Sequence, residues 1–152
     1  GSTSISQCIA KPGFYGANGT AATPCRIGTY TPNPGATTSS QCVSSECRAA
    51  GYVCPGDGTR TTCPVGSYLN MLLPYTYNTV STLCYPDIGY YGSIGNPTQC
   101  PLNTTTAGRD TLYISGCVAK IGYYGANGTA ATQCPQGTST SSLGTTTVAG
   151  CV

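Results

Sequence analysis

Histidine and tryptophan are absent from the 152 residues, phenylalanine and methionine occur once each, and six basic and four acidic residues carry all the formal charge. Each shortage excludes something. Without histidine, no side chain exchanges a proton near neutral pH, and a nucleophilic cysteine would have no activating partner. The only carboxylates are Glu46, Asp57, Asp87 and Asp110, scattered along the chain, so general acid–base chemistry has little to draw on. The expectation is a protein that is not an enzyme, with no catalytic residue and no cofactor. A net charge of +2 provides no field for nucleic acid or for an anionic membrane surface. No run approaches the roughly 18 apolar residues of a membrane span, and no hydrophobic tail follows Cys151, so no direct membrane insertion is expected of this segment. Gly1-Ser2-Thr3-Ser4 has neither the basic nor the apolar stretch of a signal peptide; the expectation is a mature chain or a fragment, or a cloning remnant at Gly1-Ser2.

Apolar residues are scarce too. Seven each of Ile, Leu and Val and a single Phe make 22 of 152 residues, below the roughly 20% at which an ordinary core becomes doubtful. Low charge argues against a disordered polyelectrolyte. Polarity comes instead from 25 Thr, 14 Ser and 21 Gly. Eleven cysteines must then supply what the core does not, as a disulfide framework made in an oxidising compartment. Five bridges closing loops of about 15 residues would contribute on the order of 15 kcal/mol in the chain-entropy model, as much as the whole net stability of a typical domain.

The cysteines stand at Cys8, Cys25, Cys42, Cys47, Cys54, Cys63, Cys84, Cys100, Cys117, Cys134 and Cys151, and most neighbours in the regular stretches lie 17 apart. Two kinds of segment alternate. One opens Cys-x4-Gly-aromatic-Tyr-Gly, as in "CIAKPGFYG", "CYPDIGYYG" and "CVAKIGYYG". The other opens on Cys and small polar residues, as in "CRIGTYTP", "CPVGSYLN", "CPLNTTTA" and "CPQGTSTS". Paired, they give four repeats: 8–42, 47–84, 84–117 and 117–151. Such a period predicts an elongated rod of about four stacked repeats of roughly 34 residues. Frequent Gly disfavours helix, while Thr, Tyr and Val favour strands, so the expected class is small, disulfide-rich and all-β, with little or no helix.

Asn18-Gly19 and Asn127-Gly128 are strong signals for two-residue hairpins. The second repeat has Asp57-Gly58 and the third Ile94-Gly95 at the same place, so the glycine, not the asparagine, is the shared requirement. The second repeat is irregular. Met71-Leu72-Leu73 in its stretched segment 63–84 predicts a local mini-core, with an exposed contact surface as the alternative. The pairs Phe14-Tyr15, Tyr90-Tyr91 and Tyr123-Tyr124 recur at one position of the repeat. Adjacent side chains on a strand point opposite ways, so one ring is expected on the next repeat's disulfide and its neighbour outside; sugar-stacking platforms are the alternative. No Cys-x2-Cys occurs and the ladder is not zinc spacing, so no metal site is expected. Asn18, Asn103 and Asn127 each begin an N-glycan acceptor triplet, and covalent glycans are expected on at least two of them. The runs 37–40, 104–106 and 145–147 have the composition of O-glycan sites.

"CVAKIGYYGANGTAATQCPQGTSTSSLGTTTVAGC" resembles the repeats of ciliate surface proteins, the immobilization antigens and their relatives. More distantly it is similar to cysteine-rich repeats of ephrin-receptor-like and furin-like ectodomains. The shared elements are Cys-then-Gly-Tyr-Tyr-Gly, Cys-Pro-x-Gly-Thr, and a Ser/Thr-rich run into the next Cys. They cover 8–42 and 84–151 well and 47–84 loosely. The resemblance implies a secreted, disulfide-stapled surface-coat protein, often lipid-anchored, with no catalytic residues. Such repeats carry cysteines in close pairs, whereas here only Cys42/Cys47 is a close pair, so the bridge pattern is not carried over and stays open.

The expectation is therefore an extracellular, cell-surface structural glycoprotein of a coat or fibre. Its partner is itself: residues 1–8 align with 110–117, both ahead of the duplicated stretch, so near-identical ends would meet head to tail in a homopolymer. The odd cysteine suits a link between chains. The alternative is a receptor-like ectodomain that binds a soluble ligand or glycan through the second repeat.

Overall fold

A computed structural model describes residues 3–74, 76 and 78–152. Gly1 and Ser2 of the N-terminal alignment lie outside the described residues. The class is as expected from the sequence: a small disulfide-rich protein of short antiparallel strand pairs, with one four-residue helical turn at Val80–Leu83. The chain divides into two compact units, 1–63 with 69–83 and 64–68 with 84–152.

In the first unit β1 (Phe14–Tyr15) pairs with β2 (Thr23–Pro24), Phe14 opposite Pro24. Single bridges join Tyr30 to Val43 and Val53 to Thr61. The second unit carries two longer pairs, β5 (Tyr90–Ser93) with β6 (Asn96–Gln99) and β7 (Thr104–Thr106) with β8 (Cys117–Ala119), and one as short as β1–β2, β9 (Tyr123–Tyr124) with β10 (Thr132–Gln133). In the same unit Ser67 and Tyr68 of β3 (Ser67–Leu69) and β4 (Cys84–Pro86) belong to a further two-stranded sheet. Strands this short cannot stand alone, because a two-stranded ribbon is marginal in water.

What fixes them is a frame of backbone bonds drawn repeatedly with the same residue types. The N–H groups of Cys25, Cys100 and Cys134 donate to the carbonyls of Gly13, Gly89 and Gly122 at 2.8–2.9 Å. Those of Gly19, Gly95 and Gly128 donate to the carbonyls of Cys8, Cys84 and Cys117 at 2.7–2.8 Å. Thr31, Thr106 and Thr140, all buried, each take the N–H of Gly13, Gly89 or Gly122 on their hydroxyl. Buried threonine thus satisfies backbone groups that a leucine core would leave unpaired. The interior follows suit: among the described residues Leu83 and Val53 are the only fully hidden large aliphatics, and cysteine, alanine and threonine fill most of the rest.

The glycine of the expected hairpin does require a left-handed backbone, with φ of 79, 85, 81 and 78 at Gly19, Gly58, Gly95 and Gly128. The two-residue hairpin itself is found only at Ile94-Gly95. Around Asn18 and Asn127 the strands are separated by residues 16–22 and 125–131. Here Asn-Gly is the centre of a tight turn, closed by Thr20 N–H to Ala17 and Thr129 N–H to Ala126, inside a longer loop. The hairpin turn that Asn-Gly favours needs positive φ at both residues, and only the glycine has it.

Two further expectations are corrected. The triplet forms no mini-core: Met71 and Leu72 are 52% and 95% exposed, and Leu73 alone is half-buried. The paired aromatics are all half-buried rather than one in and one out. Two of the rings lie on glycines: a methyl group added to Gly58 would fall inside the Phe14 ring, and one on Gly66 inside the Tyr90 ring.

Candidate functional site

Cysteine chemistry comes first, since eleven of the candidate residues are cysteines. Bridges join Cys25–Cys42, Cys100–Cys117 and Cys134–Cys151, each spanning 17 residues, and Cys47–Cys54 spans 7. Cys63 and Cys84 are disulfide-bonded as well. The leftover thiol is Cys8, which is exposed. Each 17-residue bridge closes a segment of the small polar kind, and a 3₁₀ turn leads into the second cysteine: Ser39–Gln41, Ile114–Gly116 and Val148–Gly150. The same turn, Ile5–Gln7, leads into Cys8.

The three acceptor asparagines differ. Asn18 and Asn127 are exposed at turn tips. Asn103 is half-buried with φ 63, and its Nδ2 donates to the Ala131 carbonyl at 3.0 Å. It stands where the corresponding loops have Gly28, Gly66 and Gly137, all with positive φ, and asparagine is among the few side chains that tolerate this.

Every carboxylate has a structural partner. Glu46 pairs with Arg60 at 3.4 Å, and Arg60 is held between the Tyr30 and Tyr52 rings at 4.5 and 4.4 Å. Asp57 takes the N–H and hydroxyl of Thr59, and these bonds hold its carboxyl below the usual range. Asp87 accepts from the Ile88 N–H and from Arg109 Nε at 2.9 Å, which lowers its pKa too. Arg109 also lies 4.4 Å over the Tyr68 ring, whose hydroxyl donates to Asp110 at 2.7 Å. Desolvation, then that hydrogen bond, pushes the Tyr68 pKa up to about 12. These clusters are staples. Asp57 and Asp87 are shifted away from neutrality, the opposite of what a general acid would need. Sequence reasoning passed over both arginines because their aromatic partners are distant in the chain.

Among the described residues no group of three His, Cys, Asp or Glu could hold a metal, and no helix is long and apolar enough to cross a membrane. The first unit has an open cleft of about 450 Å³ lined by Arg26, Ile27, Gly28, Thr29, Ser44 and Thr76, and Met71 and Leu72 are exposed elsewhere on its chain. Compared with known proteins, the chain has no significant match to a family model, a curated protein or a solved structure. Its disulfides are those of an extracellular or secreted protein.

Proposed function

We propose that this chain is a structural glycoprotein of a cell-surface coat or fibre, a rod of stacked repeats that joins copies of itself head to tail. The observation that carries the reading is the recurrence of one backbone frame, in which glycine N–H groups, threonine hydroxyls and 17-residue bridges take the same roles in successive segments. Apart from the exposed Cys8 thiol, the cysteines and carboxylates are committed to that frame or to staples. Glycans belong on Asn18 and Asn127, which face solvent. No catalytic role and no cofactor is assigned. Electron micrographs of the purified full chain test the reading: filaments or sheets are expected, and dispersed monomers at high concentration overturn it.

A receptor-like role is the second reading, favoured by the exposed Met71-Leu72 and the cleft at Arg26–Thr29. It predicts monomers that capture a soluble ligand or glycan, with binding lost in Leu72→Asp.

A further inference from the structure

The stretch "GANGTAAT" occurs twice in different company. In the second copy the Ala131 N–H donates to the Leu102 carbonyl and the Lys120 N–H to the Asn103 carbonyl, both at 3.0 Å. Asn103 Nδ2 returns a bond to the Ala131 carbonyl, and Ala131 is 6% exposed. The corresponding residues of the first copy, Lys11 and Ala22, are exposed, and among the described residues neither N–H has a partner. One face of the first repeat is therefore built like the covered face of the fourth and left uncovered.

The turn that would cover it exists a second time. Cys100-Pro101-Leu102-Asn103 is closed by Thr104 N–H to Pro101 at 3.0 Å; Cys134-Pro135-Gln136-Gly137 is closed by Thr138 N–H to Pro135 at 3.0 Å. Asn103 and Gly137 both have positive φ, 63 and 84. Gln136 and Gly137 are exposed, and their carbonyls have no partner among the described residues.

Something already occupies the approach. In the covered junction the strand that leads to Lys120 is β8, with Val118 opposite Thr105. On the last loop that edge belongs to Val152, bonded to Ser139 at 3.1 and 3.0 Å. A second chain that brings Lys11 to Gly137 must set Ile9 on Ser139 and Cys8 beside Cys134, where Val152 and Cys151 now sit. The N-terminal segment has the required shape. Cys8 (φ −75, ψ 119) matches Cys42 (−80, 106), Cys117 (−79, 111) and Cys151 (−85, 106), and those three are each bonded to a cysteine 17 residues upstream.

We propose that copies join by strand replacement: residues 4–11 of one chain displace residues 147–152 of another, cover the first repeat's face with the turn at Gln136-Gly137, and form a Cys8–Cys134 disulfide between chains. The proposal rests on the coat reading and names the contact that reading leaves open. In the exchange the Cys8 thiolate attacks Sγ of Cys134, the Cys134–Cys151 bond breaks as the new bond forms, and Cys151 leaves as a thiolate that takes the proton Cys8 gave up. One disulfide replaces another, so no oxidant is consumed. One strand bridge likewise replaces another, and the surplus is the pairing of the Lys11 and Ala22 N–H groups and the burial of Ala22. Exchange of equivalent elements is an inexpensive route to assembly.

The test mixes isotope-labelled and unlabelled full chain at high concentration without oxidant, then maps disulfides and watches assembly by sedimentation. Expected are mixed-isotope Cys8–Cys134 peptides, a covalent ladder on non-reducing gels, and a free thiol that moves from Cys8 to Cys151. Cys8→Ser should lose the ladder. Ala22→Trp, at an exposed position, should leave the monomer folded and lose both ladder and assembly. Assemblies with Cys8 still free, or Ala22→Trp chains that assemble like the parent, overturn this contact and leave the coat reading standing. Chains that stay monomeric with Cys8 unreacted overturn both.

Discussion

The loops closed by Cys100–Cys117 and Cys134–Cys151 and the irregular stretch 47–84 hold their shape by different means. In the regular loops a buried threonine answers a glycine N–H, a strand bridge follows, and a 17-residue disulfide shuts the loop. In 47–84 the bridge at Cys47–Cys54 spans only 7 residues, and charged side chains take over. Arg48, 3% exposed, donates to the Leu73 and Pro74 carbonyls; Arg60 is clamped between two tyrosines; Asn78 Oδ1 accepts the Cys54 N–H. Where the backbone frame loses its register, orphan carbonyls must be met by long polar side chains reaching from elsewhere. A frame tolerates exchange of its surface residues, whereas a set of single reaching side chains does not.

The largest expected effect removes the common element. Complete reduction and alkylation should unfold regular and irregular regions alike, since each long bridge contributes about 3 kcal/mol and the aliphatic core cannot compensate. Limited proteolysis checks this: an alkylated chain that keeps its protease resistance would refute the disulfide-framework account. Next comes Arg48→Met, which removes the buried guanidinium that meets the part-buried Leu73 and Pro74 carbonyls and should cost about 2–3 kcal/mol, with exchange protection lost around 47–54 and kept in 100–151. Equal loss in both stretches would erase the contrast drawn above.

Thr106→Val probes the frame. It leaves the Gly89 N–H without its acceptor and should cost about 1–2 kcal/mol by denaturant midpoint. Arg60→Lys keeps the charge but loses the planar group between Tyr30 and Tyr52, at under about 1 kcal/mol. The smallest effect is alkaline. Tyr68 ionises at about 12, above the ordinary tyrosine range, so its folded form favours the proton; that contribution is full below pH about 10 and fades as pH rises toward 12. A difference absorbance titration against Tyr68→Phe should show one late tyrosine; its titration near 10 would refute the Asp110 staple.

The class of the fold was legible because cysteine, glycine and threonine are its fixed points and all three recur visibly. Which cysteines pair was not. The interval is 17 on both sides of Cys25, and the structure closes Cys25–Cys42 while Cys8 stays free. The small polar segments are the ones that get bridged. The beds of Phe14 and Tyr90 were hidden for another reason: Gly58 was read as a turn residue, Gly66 was not singled out, and their closeness to a ring depends on distant chain. Met71-Leu72 shows the converse, since dense apolar residues in sequence guarantee no cover in space. Asn103 was readable as a glycan acceptor but not as the left-handed residue that joins two repeats.

An interior of threonine hydroxyls, alanine and sulfur has a thermal consequence. Exposing apolar surface raises heat capacity by about 0.45 cal/K/mol per Å², and exposing polar surface lowers it by about 0.26. Among the described residues Leu83 and Val53 are the only fully hidden large aliphatics, so the apolar contribution is smaller, relative to the polar one, than in a leucine-rich domain. The curve of stability against temperature is then shallower, with a less pronounced maximum than that of a leucine-rich domain. Cooling takes little from such a chain, because little of its stability came from apolar hydration, and warming takes it away slowly. Poverty in aliphatics, which makes the bridges necessary, also makes the folded state less sensitive to temperature than a leucine-rich one.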